Sequence, residues 1–151
     1  MIGTLNPDQV DQILHMQVFG RIACAHNKRI YVVPVSYAFD GNYLYAHSSE
    51  GMKIDMLRKN NETCFQVDMI DSFASWRSVI VWGTYEELKT PESQAKAKKL
   101  LDSRFGPLHT SQSISRASEN VHPPQLVEKK KKAVYFRIKI REKTGRFERV
   151  Q

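Results

Sequence analysis

A histidine, two serines, a glycine and a lysine lie within the seven residues HSSEGMK, residues 47–53. The sequence then continues with the apolar spacing of a helix. A helix N-terminus carries unpaired N–H groups and partial positive charge, so together with Lys53 it could hold an anion such as phosphate. The same residues could instead cap the helix, with Ser48 or Ser49 as N-cap and Glu50 complementing the dipole. From this segment alone the cap is favoured, because caps are commoner than ligand sites.

The neighbouring sequence predicts that this segment joins a strand to a helix. Upstream, GRIACAH and RIYVVPVSYAF are strand-like and are separated by Asn27-Lys28, which predicts a β-hairpin. The turn-forming DGN (40–42) then precedes a third strand, YLYAH, which ends at His47. Downstream, the pattern predicts a helix over 51–60.

Further elements are predicted on both sides of this region. Asn6, Pro7 and Gln9 are typical of a capped helix start in NPDQVDQILHM, and TPESQAKAKKLLDSRF has a similar start. ETCFQVDM and the longer SWRSVIVWGTYEEL predict two strands, being rich in β-branched and aromatic residues. Strict alternation in AVYFRIKIRE predicts a last strand with one buried and one basic face. Residues 106–128 predict a long loop that could contain a short helix near 116–120.

Together these elements predict a mainly β protein of the α+β class. About six strands joined early by tight turns favour antiparallel pairing, and the small number of helices suggests a barrel with helices packed outside it. At 151 residues the chain is most simply one domain, 1–151, long enough to bury a core.

Composition narrows the function classes. A hydrophobic fraction of 41% with 26% charged residues is ordinary for a globular protein. No apolar run approaches membrane-spanning length and no signal-peptide pattern opens the sequence, so a cytoplasmic protein without membrane contact is expected. Cys24 and Cys64 both lie in strand-like runs and predict buried free thiols.

The net charge of +7 is concentrated near the last strand. The run Lys129–Lys132 and the stripe of Arg137, Lys139 and Arg141 are most simply a solvated basic face, although they could attract an anionic ligand. Tyr135 is the one clear aromatic beside them, so nucleic acid is not the expected partner. The histidines and cysteines show no metal-ligand spacing, and we predict no metal site.

The order and spacing of several motifs resemble the FMN-binding split-barrel family. These motifs are a G-R-[IL]-A strand, a V-P-V-S strand, a strand ending in His-Ser, a G-x-K-x-x-x-L-R helix and R-S-V-I-V-x-G. The family includes pyridoxamine 5′-phosphate oxidases and the Nim nitroimidazole-resistance flavoproteins, and the sequence is most similar to the Nim branch. The resemblance implies a six-stranded antiparallel split β-barrel with FMN at a homodimer interface.

The resemblance also implies a role for particular residues. The flavin ring would lie along the strand VVPVS, and the ribityl phosphate would be held at HSSEGMK, with Gly51 allowing close backbone approach. Glu50 fits this site poorly because a carboxylate repels a phosphate, so either Glu50 points away or the phosphate lies nearer Lys53 and Arg77. His47 would lie beside the cofactor, and a second contact segment would come from the other subunit. The residues assigned to FMN in this way are Val33, Pro34, Val35, Ser36, His47, Ser48, Ser49, Met52, Lys53, Arg77 and Ser78.

The implied activity is electron or hydride transfer through FMN to a small planar acceptor, such as a nitroaromatic, a quinone or a pyridoxal-like compound. His47 is the candidate catalytic residue, because imidazole can donate a proton or a hydrogen bond near neutral pH. Pyridoxamine phosphate oxidase activity itself is not expected, since GRFERVQ replaces the Arg-x-x-Trp signature of those enzymes. Three alternatives stay open: a flavin-binding or sensing protein without turnover, a basic anion- or nucleic-acid-binding barrel, and a haem- or deazaflavin-binding relative.

Overall fold

Eight strands and three helices make up the part of the chain that the computed structural model describes, residues 1–106 and 132–150. The six predicted strands and three predicted helices are all present. The predicted strand RIYVVPVSYAF is divided at Tyr37 into β3 and β4, and β1 was not predicted because it is too short to show an alternating pattern. The predicted loop over 106–128 and its short helix lie almost wholly outside the described residues. The elements are β1 (Ile2–Thr4), α1 (Pro7–Met16), β2 (Phe19–His26), β3 (Arg29–Ser36), β4 (Ala38–Phe39), β5 (Tyr43–Ser49), α2 (Met52–Lys59), β6 (Glu62–Ser72), β7 (Ser75–Glu87), α3 (Pro91–Phe105) and β8 (Ala133–Glu148).

The strands form one antiparallel sheet in the order β3-β2-β6-β7-β8-β5-β4, with β1 beside the C-terminal part of β8. The sheet curls until β3 comes close to β5, yet these two strands share no backbone ladder in the described residues. The barrel is therefore split between β3 and β5. This is the predicted fold class, a split barrel of the α+β type, with eight strands instead of six.

Two tight turns fix the strands that flank the split. Asn27 and Lys28 both have positive φ, 50° and 63°, which is the type I′ geometry that matches the twist of a two-residue hairpin. Gly41, with φ 103°, closes the turn before β5, where the Asp40 carboxylate accepts hydrogen bonds of 2.8 Å from two backbone N–H groups.

The main core lies between the inner face of the curled sheet and two helices. The capping box of Asn6 and Gln9 starts α1, and the inner faces of α1 and α2 bury apolar side chains in the same cluster as the strands. Tyr37 is buried among them and donates a hydrogen bond of 2.7 Å to the Leu14 carbonyl. α3 packs separately, in a cluster with Tyr45 of β5, on the side of that strand opposite the main core.

A bulge divides β8 into two parts. Gly83 of β7 is paired with Ile140, whereas Trp82 is paired with Glu142, so Arg141 has no partner residue on β7. The inward residues of β8 are therefore even-numbered before the bulge and odd-numbered after it. The strand continues to Glu148, beyond the alternating run from which it was predicted.

The two cysteines are free thiols, as predicted. Cys24 is buried on the inner face of β2, whereas Cys64 on β6 is only partly buried. Burial raises the pKa of both thiols.

Candidate functional site

The segment between β5 and α2 leaves the helix N-terminus without a side-chain cap. Gly51 is the N-cap residue, in an extended conformation, and no side chain in residues 1–106 or 132–150 accepts a hydrogen bond from the first turn. The interpretation of Ser48 or Ser49 as N-cap is therefore wrong, because Ser48 Oγ donates to the Ser49 carbonyl at 3.0 Å instead. A Cβ built on Gly51 would meet no described atom within 4 Å. The first N–H groups of α2 have no side-chain acceptor among the described residues, so they could donate to an anionic ligand.

Lys53 lies in the first turn of α2 and is half-buried. Burial lowers the pKa of its ammonium group, while the charged form of nearby Cys24 acts in the opposite direction. Lys53 belongs to none of the ion pairs found among the described residues. A partly desolvated cation beside an uncapped helix N-terminus favours an anionic ligand at this position.

The carboxylate of Glu50 points away from this position and is bound by Arg58, which is the first of the two alternatives for this residue. Arg58 donates two parallel hydrogen bonds of 2.8 Å to it and one of 2.7 Å from Nε to Glu87. Tyr85 completes the cluster with a 2.9 Å hydrogen bond to Glu87. The hydrogen bonds from Arg58 hold the pKa of the Glu87 carboxyl below its usual range.

His47 is exposed near the C-terminal end of β5. Its ring lies 5.7 Å from that of Tyr135, centroid to centroid, and is tilted by 53°. Among the described residues, no group forms a hydrogen bond with the His47 imidazole, so both ring nitrogens are accessible. This arrangement suits a side chain that exchanges hydrogen bonds with a ligand or with water.

The segment Val33–Ser36 lies on an edge strand at the split. β2 is the only ladder partner of β3 among the described strands, so one backbone edge of β3 is unpaired. Val35 is buried on the inner face, while on the outer face Val32 and Pro34 are exposed and Ser36 is half-buried. Proline is tolerated at an edge because its missing N–H breaks no central ladder. The unpaired backbone groups of this segment are thus free to contact a planar ligand in the split.

Met52, the first residue of α2, lines a cavity that the sequence did not indicate. The cavity has a volume of about 320 Å³ and lies between the β2–β3 turn and α2. Its other lining residues are His26, Asn27, Arg29 and Met56. His26 and Arg29 are basic or titratable but share no motif with HSSEGMK. Only the packing of α2 over the hairpin brings them next to Met52.

Arg77 and Ser78 lie far from this site within one chain. Along β8 the His47 neighbour is Tyr135, whereas the partner of Ser78 is Arg146, near the other end of the strand. Arg77 and Ser78 are consecutive residues of β7, so their side chains point to opposite faces of that strand. Arg77 lines a separate cavity of about 220 Å³ near the chain termini. One chain therefore does not bring them together with residues 47–53.

Sequence reasoning also missed the cluster of Arg58, Glu87 and Tyr85. The motif G-x-K-x-x-x-L-R ends at Arg58, and β7 ends in two glutamates, but no spacing rule relates a helix end to a distant strand end. The predicted basic face of β8 is partly neutralised for a similar reason. Arg137 is paired with Glu86, and Arg141 forms a bidentate pair with Glu62.

Among the described residues, no helix is long and apolar enough to cross a membrane. Across 1–106 and 132–150, no three side chains of His, Cys, Asp or Glu are grouped as metal ligands would be.

Comparisons with known proteins agree with this architecture. The family model described as pyridoxamine 5′-phosphate oxidase matches residues 6–147. A FAD-binding protein from Mesorhizobium loti is 31% identical, with 97% of this chain and 98% of that chain covered and a TM-score of 0.73. A proposed 5-nitroimidazole antibiotic resistance protein from Bacteroides thetaiotaomicron has the same fold, with 19% identity, 97% and 89% coverage and a TM-score of 0.71.

A curated relative is more similar in sequence but over a shorter stretch. An uncharacterized protein of Rhizobium meliloti is 43% identical over 68 residues, and the match spans 45% of each chain. The family model, in contrast, covers nearly the whole sequence, including the split, the α2 N-terminus and the last strand. The chain belongs to the pyridoxamine 5′-phosphate oxidase family.

Proposed function

We propose that this protein is an FMN-binding oxidoreductase that passes electrons to a small planar acceptor, such as a nitroaromatic, a quinone or a pyridoxal-like compound. The observation that carries the proposal is the half-buried Lys53, which has no ion-pair partner in the described part of the chain, at the start of α2. That site opens beside the unpaired edge of β3. A flavin needs an anion site and a flat surface next to each other, and the split offers both.

Each proposed cofactor contact follows from the chemistry of the group present. Lys53 and the N–H groups at the start of α2 would hold the phosphate, with Ser48 and Ser49 as further donors. The backbone edge of Val33–Ser36 would face the flavin ring and exchange hydrogen bonds with its polar rim. When bound, FMN would supply electron or hydride transfer.

His47 is proposed as the residue that donates a proton or a hydrogen bond to the acceptor. We expect His47→Ala to lower turnover at least about tenfold, because general acid groups contribute this much or more. The FMN dissociation constant should change less than about threefold. Steady-state kinetics and flavin titration measure the two effects, with His15→Ala as the control, because His15 lies on α1 and is not among the residues assigned to the site. Unchanged turnover would exclude the role.

A homodimer is proposed because one chain separates Arg77 and Ser78 from the other assigned residues. The outer face of the sheet carries a cavity of about 580 Å³ lined by Trp76, Ser78, Ile80 and Trp82, among others. Large apolar side chains are exposed on the same face or its rim, and such patches mark association surfaces. They are Phe19, Ile30, Val32, Ile70 and Phe73.

Sedimentation equilibrium tests the dimer. We expect a mass of twice the 17.5 kDa of the chain. Val32→Lys should weaken association by about tenfold or more, since it buries a charge in an apolar interface. The control is Met16→Lys, because Met16 is similarly exposed, 51% against 55%, but lies on α1, which packs against the inner face of the sheet. A monomer, or equal effects of both substitutions, would contradict the proposed dimer.

The experiment that tests the function is the visible spectrum of the purified protein, followed by chromatography of what heat releases. A two-banded yellow spectrum with released FMN supports the proposal. A colourless protein that takes up no added FMN would overturn it. Steady-state assays with several donors and acceptors then separate an oxidoreductase from a flavin-binding protein without turnover.

FAD is the second candidate cofactor, and one observation favours it. The cavity of about 320 Å³ adjoins Met52 at the proposed phosphate site, and Arg29 and His26 could meet a second phosphate there. A relative that is 31% identical is also named a FAD-binding protein. The same chromatography distinguishes the two cofactors, because FAD and FMN elute separately.

A further inference from the structure

The cluster of Glu50, Arg58 and Glu87 has a geometry that surface ion pairs usually lack. Both guanidinium NH groups of Arg58 donate to Glu50 at 2.8 Å, and its Nε donates to Glu87 at 2.7 Å. Bidentate arginine–carboxylate pairs are the strongest of such contacts and fix the carboxylate in direction as well as in distance. Glu50 is therefore held in one orientation, although it is about half exposed.

Arg58 is itself held to the sheet, so it does not move with Glu50. Glu87 lies at the end of β7, is largely buried, and also accepts a hydrogen bond of 2.9 Å from Tyr85. Arg58 lies in the last turn of α2, on the flank of the helix opposite Met52 and Lys53. The cluster thus ties Glu50 to the side of α2 that faces away from the proposed phosphate site.

Glu50 would otherwise compete for that site. It directly precedes Gly51, the N-cap of α2, and the first turn of this helix has no side-chain cap in the described residues. Carboxylates are drawn to such N-termini by the helix dipole and by the unpaired N–H groups. A released Glu50 carboxylate would accept hydrogen bonds from these N–H groups and form an ion pair with Lys53. It would also repel a bound phosphate.

We propose that Arg58 is a positioning residue that keeps the Glu50 carboxylate out of the phosphate site, and so sets the preference for phosphorylated over unphosphorylated flavin. The inference rests on the proposed function, since it concerns the same anion site. The inference differs from the proposed function because it assigns selectivity to a residue that does not contact the ligand.

A double-mutant cycle with two flavins tests the inference. Dissociation constants for FMN and riboflavin are measured by flavin fluorescence in the wild-type chain, Arg58→Met, Glu50→Gln and the double variant. In Arg58→Met we expect FMN affinity to fall about tenfold and riboflavin affinity to change less than twofold. The double variant should recover FMN affinity to within about twofold of Glu50→Gln, because the competing carboxylate is gone.

Arg141→Met is the matched control. Arg141 forms an equally close bidentate pair with Glu62, 2.7 and 2.6 Å, just beyond the C-terminal end of α2 and therefore at the opposite end of the helix from the proposed phosphate site. Its replacement should leave the ratio of FMN to riboflavin affinity unchanged. If Arg58→Met does not fold, Arg58→Lys keeps the charge, loses the bidentate geometry and should show a smaller loss with the same rescue.

The outcomes separate the inference from the proposed function. Equal losses for FMN and riboflavin, or no recovery in the double variant, would mean that Arg58 acts only on the fold and would overturn the inference. An unchanged FMN affinity in Arg58→Met would also overturn it. If the wild-type chain binds neither flavin, the proposed function fails first and this inference fails with it.

Discussion

Replacing Lys53 with methionine is expected to weaken FMN binding about 10- to 100-fold and to change riboflavin binding less than twofold. A charge-assisted hydrogen bond to phosphate contributes about 1.5–3 kcal/mol, which corresponds to this range of affinity. Methionine keeps most of the apolar stem that packs against the hairpin, so the fold should be retained. Fluorescence titration of the purified chain with both flavins measures the difference.

The pH dependence gives a second readout of the same residue. Burial lowers the pKa of Lys53, so in the free protein the ammonium loses its proton below the ordinary lysine value of about 10.4. FMN affinity should therefore fall as pH rises through that lowered pKa, and binding of FMN should take up a proton there. Riboflavin affinity should not follow this dependence until the flavin itself ionises.

Lys59→Met, at the exposed end of α2, is the control for Lys53→Met. Equal loss of both flavins in Lys53→Met would rule out a phosphate contact.

Replacing Gly83 with alanine is expected to destabilise the protein by about 3 kcal/mol. A Cβ at Gly83 would collide with the Lys139 carbonyl oxygen and lie 2.6 Å from Cγ2 of Ile138, both on β8. The backbone atom cannot turn aside, and the glycine lies where the β7–β8 register shifts, so the whole pairing would have to move. Overpacking of this kind costs about 1–3 kcal/mol or more. Thermal unfolding should show a decrease in Tm of about 6–12 °C.

Gly51→Ala is the matched control for that measurement. A Cβ there would meet nothing within 4 Å, and its φ of 173° is extended backbone that alanine adopts readily. We expect its free energy of unfolding to stay within about 0.5 kcal/mol of the wild-type value. A loss in Gly51→Ala as large as in Gly83→Ala would show that the bulge is not the cause.

The sequence alone determined the local elements and the order of the motifs. Short-range chemistry carries this information: Asn6 and Gln9 cap α1, positive φ at Asn27 and Lys28 closes a hairpin, and alternation defines the first part of β8. The split-barrel fold followed from the resemblance of these motifs in their order. The assigned site residues could be named, but their relative positions could not be derived.

Only the tertiary structure decided which side chains meet. The cap interpretation of Ser48 and Ser49 was wrong because β5 continues through Ser49 and α2 begins only at Met52, so Gly51 takes the N-cap position, and local propensity does not encode where a strand ends. Arg58 reaches Glu87 only because the fold brings the last turn of α2 close to the end of β7. Arg77 is separated from residues 47–53 because strand pairing places them near opposite ends of the sheet. Contacts between distant parts of a chain depend on register and curvature, which a linear pattern does not contain.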